Sequence, residues 1–183
     1  MRIIISGLTA SGKSTLAKRL ADYFGLEYFS ASSKLRDIMK YGDFKFWESK
    51  KGIEAVKFRL KHPEYDRKLD AYVLSYLKKH DNIVMDSWVA SWKFYGKAIK
   101  IYLKSDLETR ARRVSSRDST PYKSALKFMR EKDKLTTEVY RKLYKMDIIN
   151  DMSPFDLVID SSELSMPERD SICISFISAL SRK

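Results

Sequence analysis

The stretch Gly7-Leu8-Thr9-Ala10-Ser11-Gly12-Lys13-Ser14 fits the pattern G-x-x-x-x-G-K-[ST], with the β-branched run Ile3-Ile4-Ile5 before it and helically spaced Leu16, Ala17, Leu20 and Phe24 after it. No other feature of the chain constrains the fold as much. A buried strand that turns through a glycine loop into a helix wraps its backbone N–H groups around an anion, and the positive end of the helix adds its field. Gly7 and Gly12 permit the close approach, Lys13 reaches the β- and γ-phosphates of a triphosphate, and the Ser14 hydroxyl is placed to ligate magnesium. Thr15 carries the loop into the helix. A chance glycine turn is the bland alternative, but it gives no reason for strand, lysine, hydroxyl and helix to fall in this order. A dinucleotide fold is disfavoured because G-x-G-x-x-G is absent, and a guanine-reading switch because no Asn-Lys-x-Asp occurs.

Downstream, strands and helices are predicted to alternate. Residues 3–6 form the first strand, and the helix over 14–24 is stopped by Gly25 as a C-cap. Residues 26–29 read as a second strand, followed by a helix holding Leu35, Ile38 and Met39 and capped by Ser32 or Ser33. Residues 41–60 are basic, aromatic and without regular pattern. Pro63-Glu64 opens a helix through Leu69, Val73, Leu74 and Leu77, so residues 41–79 read as a mostly helical insertion. Residues 82–86 make a third strand ending in Asp86, 99–103 a fourth and 155–159 a fifth. Helices are expected over 107–116, over 122–145 with Leu126, Met129, Leu135 and Val139 inward, and at the end of the chain. This alternation predicts an α/β fold: a single domain over residues 1–183 built on a doubly wound, five-stranded parallel sheet.

The net charge is +12, which calls for a polyanionic or densely phosphorylated partner. Cys173 is the one cysteine and has no disulfide partner, while His62 and His80 stand apart without zinc spacing, so a reducing cytoplasm is the expected compartment. The apolar run at 172–180 falls short of the ~20 residues that cross a bilayer, so no membrane contact is expected, and no leader is expected ahead of the first strand.

Asp86 ends a buried strand, where open α/β sheets place their ligands. It is a candidate to order magnesium, a rival candidate for general base on a sugar hydroxyl, and in the plainest case a cap or turn residue. Residues 110–145 hold twelve Lys and Arg against four Asp and Glu, a net +8 of the chain's +12. Phosphoryl transfer needs cations over the migrating group, which a lid of arginines supplies. Lys123, Lys127, Lys134, Lys142 and Lys145 are read as a solvated helix face. Arg110, Arg113 and Arg117, near Ser119-Thr120-Pro121, are the stronger candidates, together with Arg130 and Arg141.

Together these residues resemble the archaeal type of cytidylate kinase, within the P-loop nucleoside monophosphate kinases. Beyond the loop, the likeness runs through Tyr28-Phe29-Ser30-Ala31 with Arg36, Asp66-Arg67 with Asp70, and Ile83-Val84-Met85-Asp86. It continues in Arg110-Ala111-Arg112-Arg113, Arg117, Arg130-Glu131, Tyr140-Arg141 with Tyr144, Asp147-Ile148 and Asp156-Leu157-Val158-Ile159.

The resemblance implies transfer of the ATP γ-phosphate to CMP or dCMP with Mg2+ held by Ser14 and Asp86, in a monomer. It implies a monophosphate-binding insertion near 41–79 and an arginine-rich lid near 113–130. Ser30, Arg36, Arg130 and Arg141 would hold the acceptor, with Asp66, Arg67, Asp70 and Trp88 on the same side, and Arg113 and Arg117 would cover ATP. Lys13, Asp86, Arg113, Arg117, Arg130 and Arg141 form the implied catalytic set. The chain departs from the family at two places: Trp88 stands where an arginine is usual, and Ser32 where a glycine is common. An aromatic side chain at 88 could stack on a base or simply pack. Two other readings stay open, a P-loop kinase for another monophosphate or a nucleoside, and a nucleotide-dependent nucleic-acid binder. Nucleic acid is not the expected partner, since no motif for it is visible and the lid accounts for much of the charge.

Overall fold

The computed structural model describes residues 1–40 and 50–181. Five strands, β1 (Arg2–Ser6), β2 (Glu27–Ser30), β3 (Ile83–Asp86), β4 (Ile99–Lys104) and β5 (Leu157–Asp160), lie in the order β2-β3-β1-β4-β5, and every pairing is parallel. Around them run α1 (Lys13–Phe24), α2 (Ala31–Met39), α3 (Lys50–Lys61), α4 (Glu64–Lys79), α5 (Ala90–Lys93), α6 (Leu107–Asp118), α7 (Tyr122–Tyr144) and α8 (Met166–Ser181).

The isoleucine run at the start explains the layering. Successive side chains of a strand point to opposite faces. Ile3 and Ile5 pack with Leu16, Leu20, Cys173 and Ile177 of α1 and α8, whereas Ile4 packs with Leu35, Leu69, Val73 and Leu77 of α2 and α4. This central strand is covered on both faces, so all three isoleucines are fully buried, and the buried Ser6 hydroxyl that follows them is paired with Ser91 Oγ at 2.9 Å.

Register decides where the strands end. Ile5 pairs with Asp86, and Ser30 pairs with Asp86 from the other side, so the carboxyl ends of β1, β3 and β2 stop level. After β1 the chain crosses to β2 on one side, and after β3 it crosses to β4 on the other. The crevice above β1 and β3 is therefore the switch point at which ligands bind in open α/β sheets.

Several expectations are corrected. The cap of α2 is Ser30, whose side chain accepts from Ser33 N at 3.4 Å, and not Ser32 or Ser33. Residues 50–61, unpatterned in sequence, form α3, because one face of it is buried through Ile53, Ala55 and Val56. Residues 41–49, the start of the expected insertion, lie outside the described residues. The fifth strand begins at Leu157, two residues later than predicted, and the short α5 was not anticipated. The buried face of α7 runs through Ala125, Met129, Lys132, Thr136, Val139 and Tyr140, which leaves Leu126 and Leu135 on its half-buried flank. Gly25 caps α1 with φ +63 as expected.

A buried ion pair joins three of these helices. Arg59 of α3 donates to both oxygens of Asp66 of α4, at 3.0 and 2.5 Å, and to the Tyr140 hydroxyl of α7 at 3.2 Å. Both charges are almost wholly out of water, so each depends on the other.

Two stability outcomes follow from this packing. Ile101→Ala, in the fully buried centre of β4, is expected to cost about 2–5 kcal/mol in urea unfolding. Asp66→Ala should cost about 3–5 kcal/mol because it strands Arg59, and the paired change Arg59→Met with Asp66→Leu should recover most of that loss.

Candidate active site

The loop between β1 and α1 has the conformation its glycines permit. Gly7 (φ +152) and Gly12 (φ +95) lie where side chains are disfavoured, and a Cβ on Gly7 would stand 2.4 Å from the Leu103 carbonyl oxygen. Gly12 is the N-cap of α1 and offers no side-chain cap, so the first N–H groups of the helix remain open toward an anion. The Ser11 hydroxyl, fully buried in the loop, has no hydrogen-bond partner among the described residues. Lys13 Nζ donates to Leu8 O at 3.5 Å and stands 5.0 Å from the centre of the Trp88 ring. Burial pulls the Lys13 ammonium below its usual range, while the Asp86 carboxylate works the other way. A bound polyphosphate would supply the counter-charge this ammonium lacks.

Asp86 is 1% exposed at the end of β3, accepting from Tyr28 Oη at 2.5 Å and from Ser30 Oγ at 3.4 Å. Tyr28 is pushed far above the ordinary phenol range, first by burial and then by that carboxylate. Tyr28, Ser30 and Asp86 thus form one linked set of oxygen atoms, with Ser14 near Tyr28 at the start of α1. Such a set suits a hard cation that keeps most of its ligands as water and phosphate. Among the described residues no group of three or more His, Cys, Asp or Glu could hold a metal without such help.

A cavity of about 500 Å³ opens from this loop. Thr9, Ala10, Gly12, Lys13, Ser14 and Thr15 line it, together with Arg36, Asp70, Trp88 and Arg117. Arg36 Nη2 donates to Ser33 Oγ at 2.6 Å, and Arg117 bonds to Asp118 at 2.7 and 3.0 Å. Asp70 is buried and bonded to Lys93 Nζ at 3.3 Å; burial raises its carboxyl above the usual range. Trp88 stacks on Tyr140 with ring centres 6.2 Å apart and planes inclined by 24°. Packing against Tyr140 is therefore part of its role.

Other candidates lie elsewhere. Arg67, Arg130 and Arg141 are exposed and are not among the lining residues, and Asp66 is consumed by Arg59. The phase of α7 is the reason for two of these. Lys132, Thr136 and Tyr140 recur at four-residue spacing and face the cavity, which turns 130 away from it and 141 aside. Arg113, expected over ATP, sits behind the loop and donates to Ala10 O, Ser11 O and Ser161 O. Arg110 is 3% exposed and paired with Asp133 at 2.6 and 3.1 Å.

The structure adds Lys18, Arg19, Arg59, Lys132, Thr136 and Tyr140 to the lining. Lys132 and Thr136 could have been found from sequence, since they interrupt the apolar face of α7 in phase with Met129 and Tyr140. Arg59 gave no such signal, because its buried partner lies in another helix.

Comparison with known proteins agrees with this geometry. The model of the cytidylate kinase-like family matches residues 2–163. A cytidylate kinase of Pyrobaculum islandicum is 36% identical over 176 residues, covering 96% of this chain and 91% of the relative. Another, from Sulfolobus acidocaldarius, is 34% identical over 172 residues, covering 92% and 88%. Among solved structures, shikimate kinase from Acinetobacter baumannii superposes with a TM-score of 0.60 at 15% identity, over 100% of this chain and 95% of that one. Deoxyadenosine kinase from M. mycoides gives 0.60 at 17% identity, over 97% and 100%. At such identities the structural likeness concerns the fold, which is that of the P-loop kinases. The sequence relation extends over nearly the whole chain, and by it this protein belongs to the cytidylate kinase-like family.

Proposed function

We propose that this chain transfers the γ-phosphoryl group of ATP to CMP or dCMP, giving ADP and the cytidine diphosphate. The observation that carries the reading is the shared cavity: its lining joins the open N-terminus of α1 and Lys13, with Trp88 beside that ammonium, to Arg36 and Asp70. Membership of the family supplies the choice of acceptor.

An oxygen of the acceptor's monophosphate attacks the γ-phosphorus while the bond from that phosphorus to the β-bridging oxygen breaks. That acceptor oxygen is already ionised near neutral pH, since the second pKa of a phosphate monoester is about 6. No general base is needed. This supports Asp86 as the residue that, with Ser14, would hold Mg2+, in preference to the base a nucleoside would require. The ion would neutralise charge on the β- and γ-phosphates and fix their orientation. The glycine loop cradles the β-phosphate, Lys13 follows the charge that moves onto the leaving oxygen, and Arg117 at the α6 end covers the triphosphate. Arg36 and Lys132 remain to grip the acceptor phosphate in place of the arginine that Trp88 replaces.

Donor and acceptor ends lie within one chain, which supports action as a monomer. Cys173 is buried and its thiol is pushed up to about 11, as suits an inert side chain in a reducing cytoplasm. Among the described residues no helix is long and apolar enough to cross a membrane. Trp88 favours one alternative, an acceptor other than a cytidine monophosphate, because it removes a cation the family commonly places there.

An assay of ADP release with CMP, dCMP, UMP, AMP, GMP and cytidine should give the highest kcat/KM with CMP or dCMP; a preference for cytidine would replace this reading by a nucleoside kinase. Lys13→Ala should lower kcat ~10²- to 10³-fold while the thermal unfolding midpoint stays near wild type. Arg36→Ala should raise the acceptor KM about tenfold or more and leave the KM for ATP within about twofold, since it removes a contact to one substrate only.

A further inference from the structure

The back of the phosphate loop is held as closely as its front. A loop whose N–H groups converge on a phosphate turns its carbonyls outward, and each of these needs a donor. Here three consecutive carbonyls find theirs on α6. Arg110 Nη1 donates to Thr9 O at 3.2 Å, and Arg113 Nη1 donates to Ala10 O at 3.4 Å and Ser11 O at 3.1 Å. The two arginines are one helical turn apart, so a single face of α6 spans the loop.

Both guanidinium groups are themselves fixed. Arg110 donates from Nε to Ser105 O at 3.0 Å, and its two terminal nitrogens meet the two oxygens of Asp133 on α7 at 3.1 and 2.6 Å. Arg113 reaches Ser105 Oγ at 3.3 Å and Ser161 O at 3.1 Å, at the ends of β4 and β5. Between these anchors Ala10 adopts φ +60, a left-handed conformation that costs a non-glycine residue free energy and persists only where the surroundings enforce it. Ala10 also packs on the small apolar cluster of Ala111, Val114, Ala125 and Met129 that joins α6 to α7.

We propose that Arg110 and Arg113 are positioning residues that fix the phosphate loop in its nucleotide-binding shape, and that Asp133 ties this loop to α7, the helix that carries Lys132, Thr136 and Tyr140 to the cavity. The inference rests on the reading of the loop as an ATP site. It assigns the two arginines work on the protein's own backbone, whereas a lid arginine would contact the nucleotide. Lysine cannot do the same work, because one ammonium does not offer the planar fork that reaches neighbouring carbonyls and a third anchor at once.

The test combines ADP binding by calorimetry, steady-state kinetics and thermal unfolding on the full chain. Wild type binding ADP establishes the nucleotide site; absence of binding overturns that reading and the proposal with it. Arg113→Lys should weaken ADP binding about tenfold and leave the acceptor KM within about twofold. The exchange Arg110→Asp with Asp133→Arg restores an ion pair between α6 and α7 but leaves Thr9 O without its donor. It should recover the unfolding midpoint lost in Asp133→Asn and not the ADP affinity. Recovery of both together would reduce the pair to a structural link and overturn the proposal, as would wild-type ADP binding by Arg113→Lys. Should the exchanged variant fail to fold, Arg113→Lys, a half-buried and charge-conserving change, decides alone.

Discussion

The open N-terminus of α1, set at the level where β1, β3 and β2 end together, is the constraint on which the rest of the structure depends. Backbone N–H groups with no partner in the protein are costly unless an anion or water meets them. The sheet register brings Asp86 and Ser30 beside the loop, so the open helix terminus and these oxygen atoms are set by one alignment. Two hydrophobic layers built on Ile3, Ile4 and Ile5 hold that alignment. The carbonyl side of the loop is engaged by α6, and its N–H side is left open toward an anion.

Charge in this protein is sorted by burial more than by number. The net +12 is large, yet much of the basic run in α6 and α7 faces water, where screening leaves it little influence on one ligand. The buried charges divide into two kinds. Arg59 with Asp66 and Arg110 with Asp133 are satisfied pairs that join helices and carry little net field. Lys13 is different. It is half-buried, with a weak carbonyl bond and an aromatic ring beside it, so a polyphosphate would supply the counter-charge it lacks.

In the proposed reading Trp88 changes the character of the acceptor end. An arginine at that place would add a forked donor for phosphate, whereas the indole adds a broad apolar face against Tyr140 and beneath the Lys13 ammonium. The cavity there is bounded by Val56, Leu69 and Val89 as well, with Asp70 as its buried acid. In the proposed reading a flat base would lie against such walls, and grip on the acceptor phosphate would pass to cations on other elements. Arg36 is held by a local bond to Ser33 within its own helix, and Lys132 projects from α7.

The sequence by itself determined the parallel α/β sheet, the phosphate loop with Lys13 and Ser14, the place of Asp86 and the family. These rest on patterns within a few residues: β-branched runs, a glycine turn in register with a lysine and a hydroxyl, and a carboxylate at a strand end. Arg117 was legible from its place beside the turn at 119–121, and Arg36 only through the resemblance to the family. Tertiary structure alone decided which residues of the long basic helices meet the cavity. Arg130 and Arg141 carry motif weight but point away, while Lys132 and Thr136 lie on the inward phase, and that phase is set by packing against α3 and α6. It also decided that Arg113 serves the back of the loop and that Arg59 is buried at all, since each depends on partners at least forty residues distant or in another helix. Local periodicity fixes which face of an element is apolar; only the assembled fold fixes what that face meets.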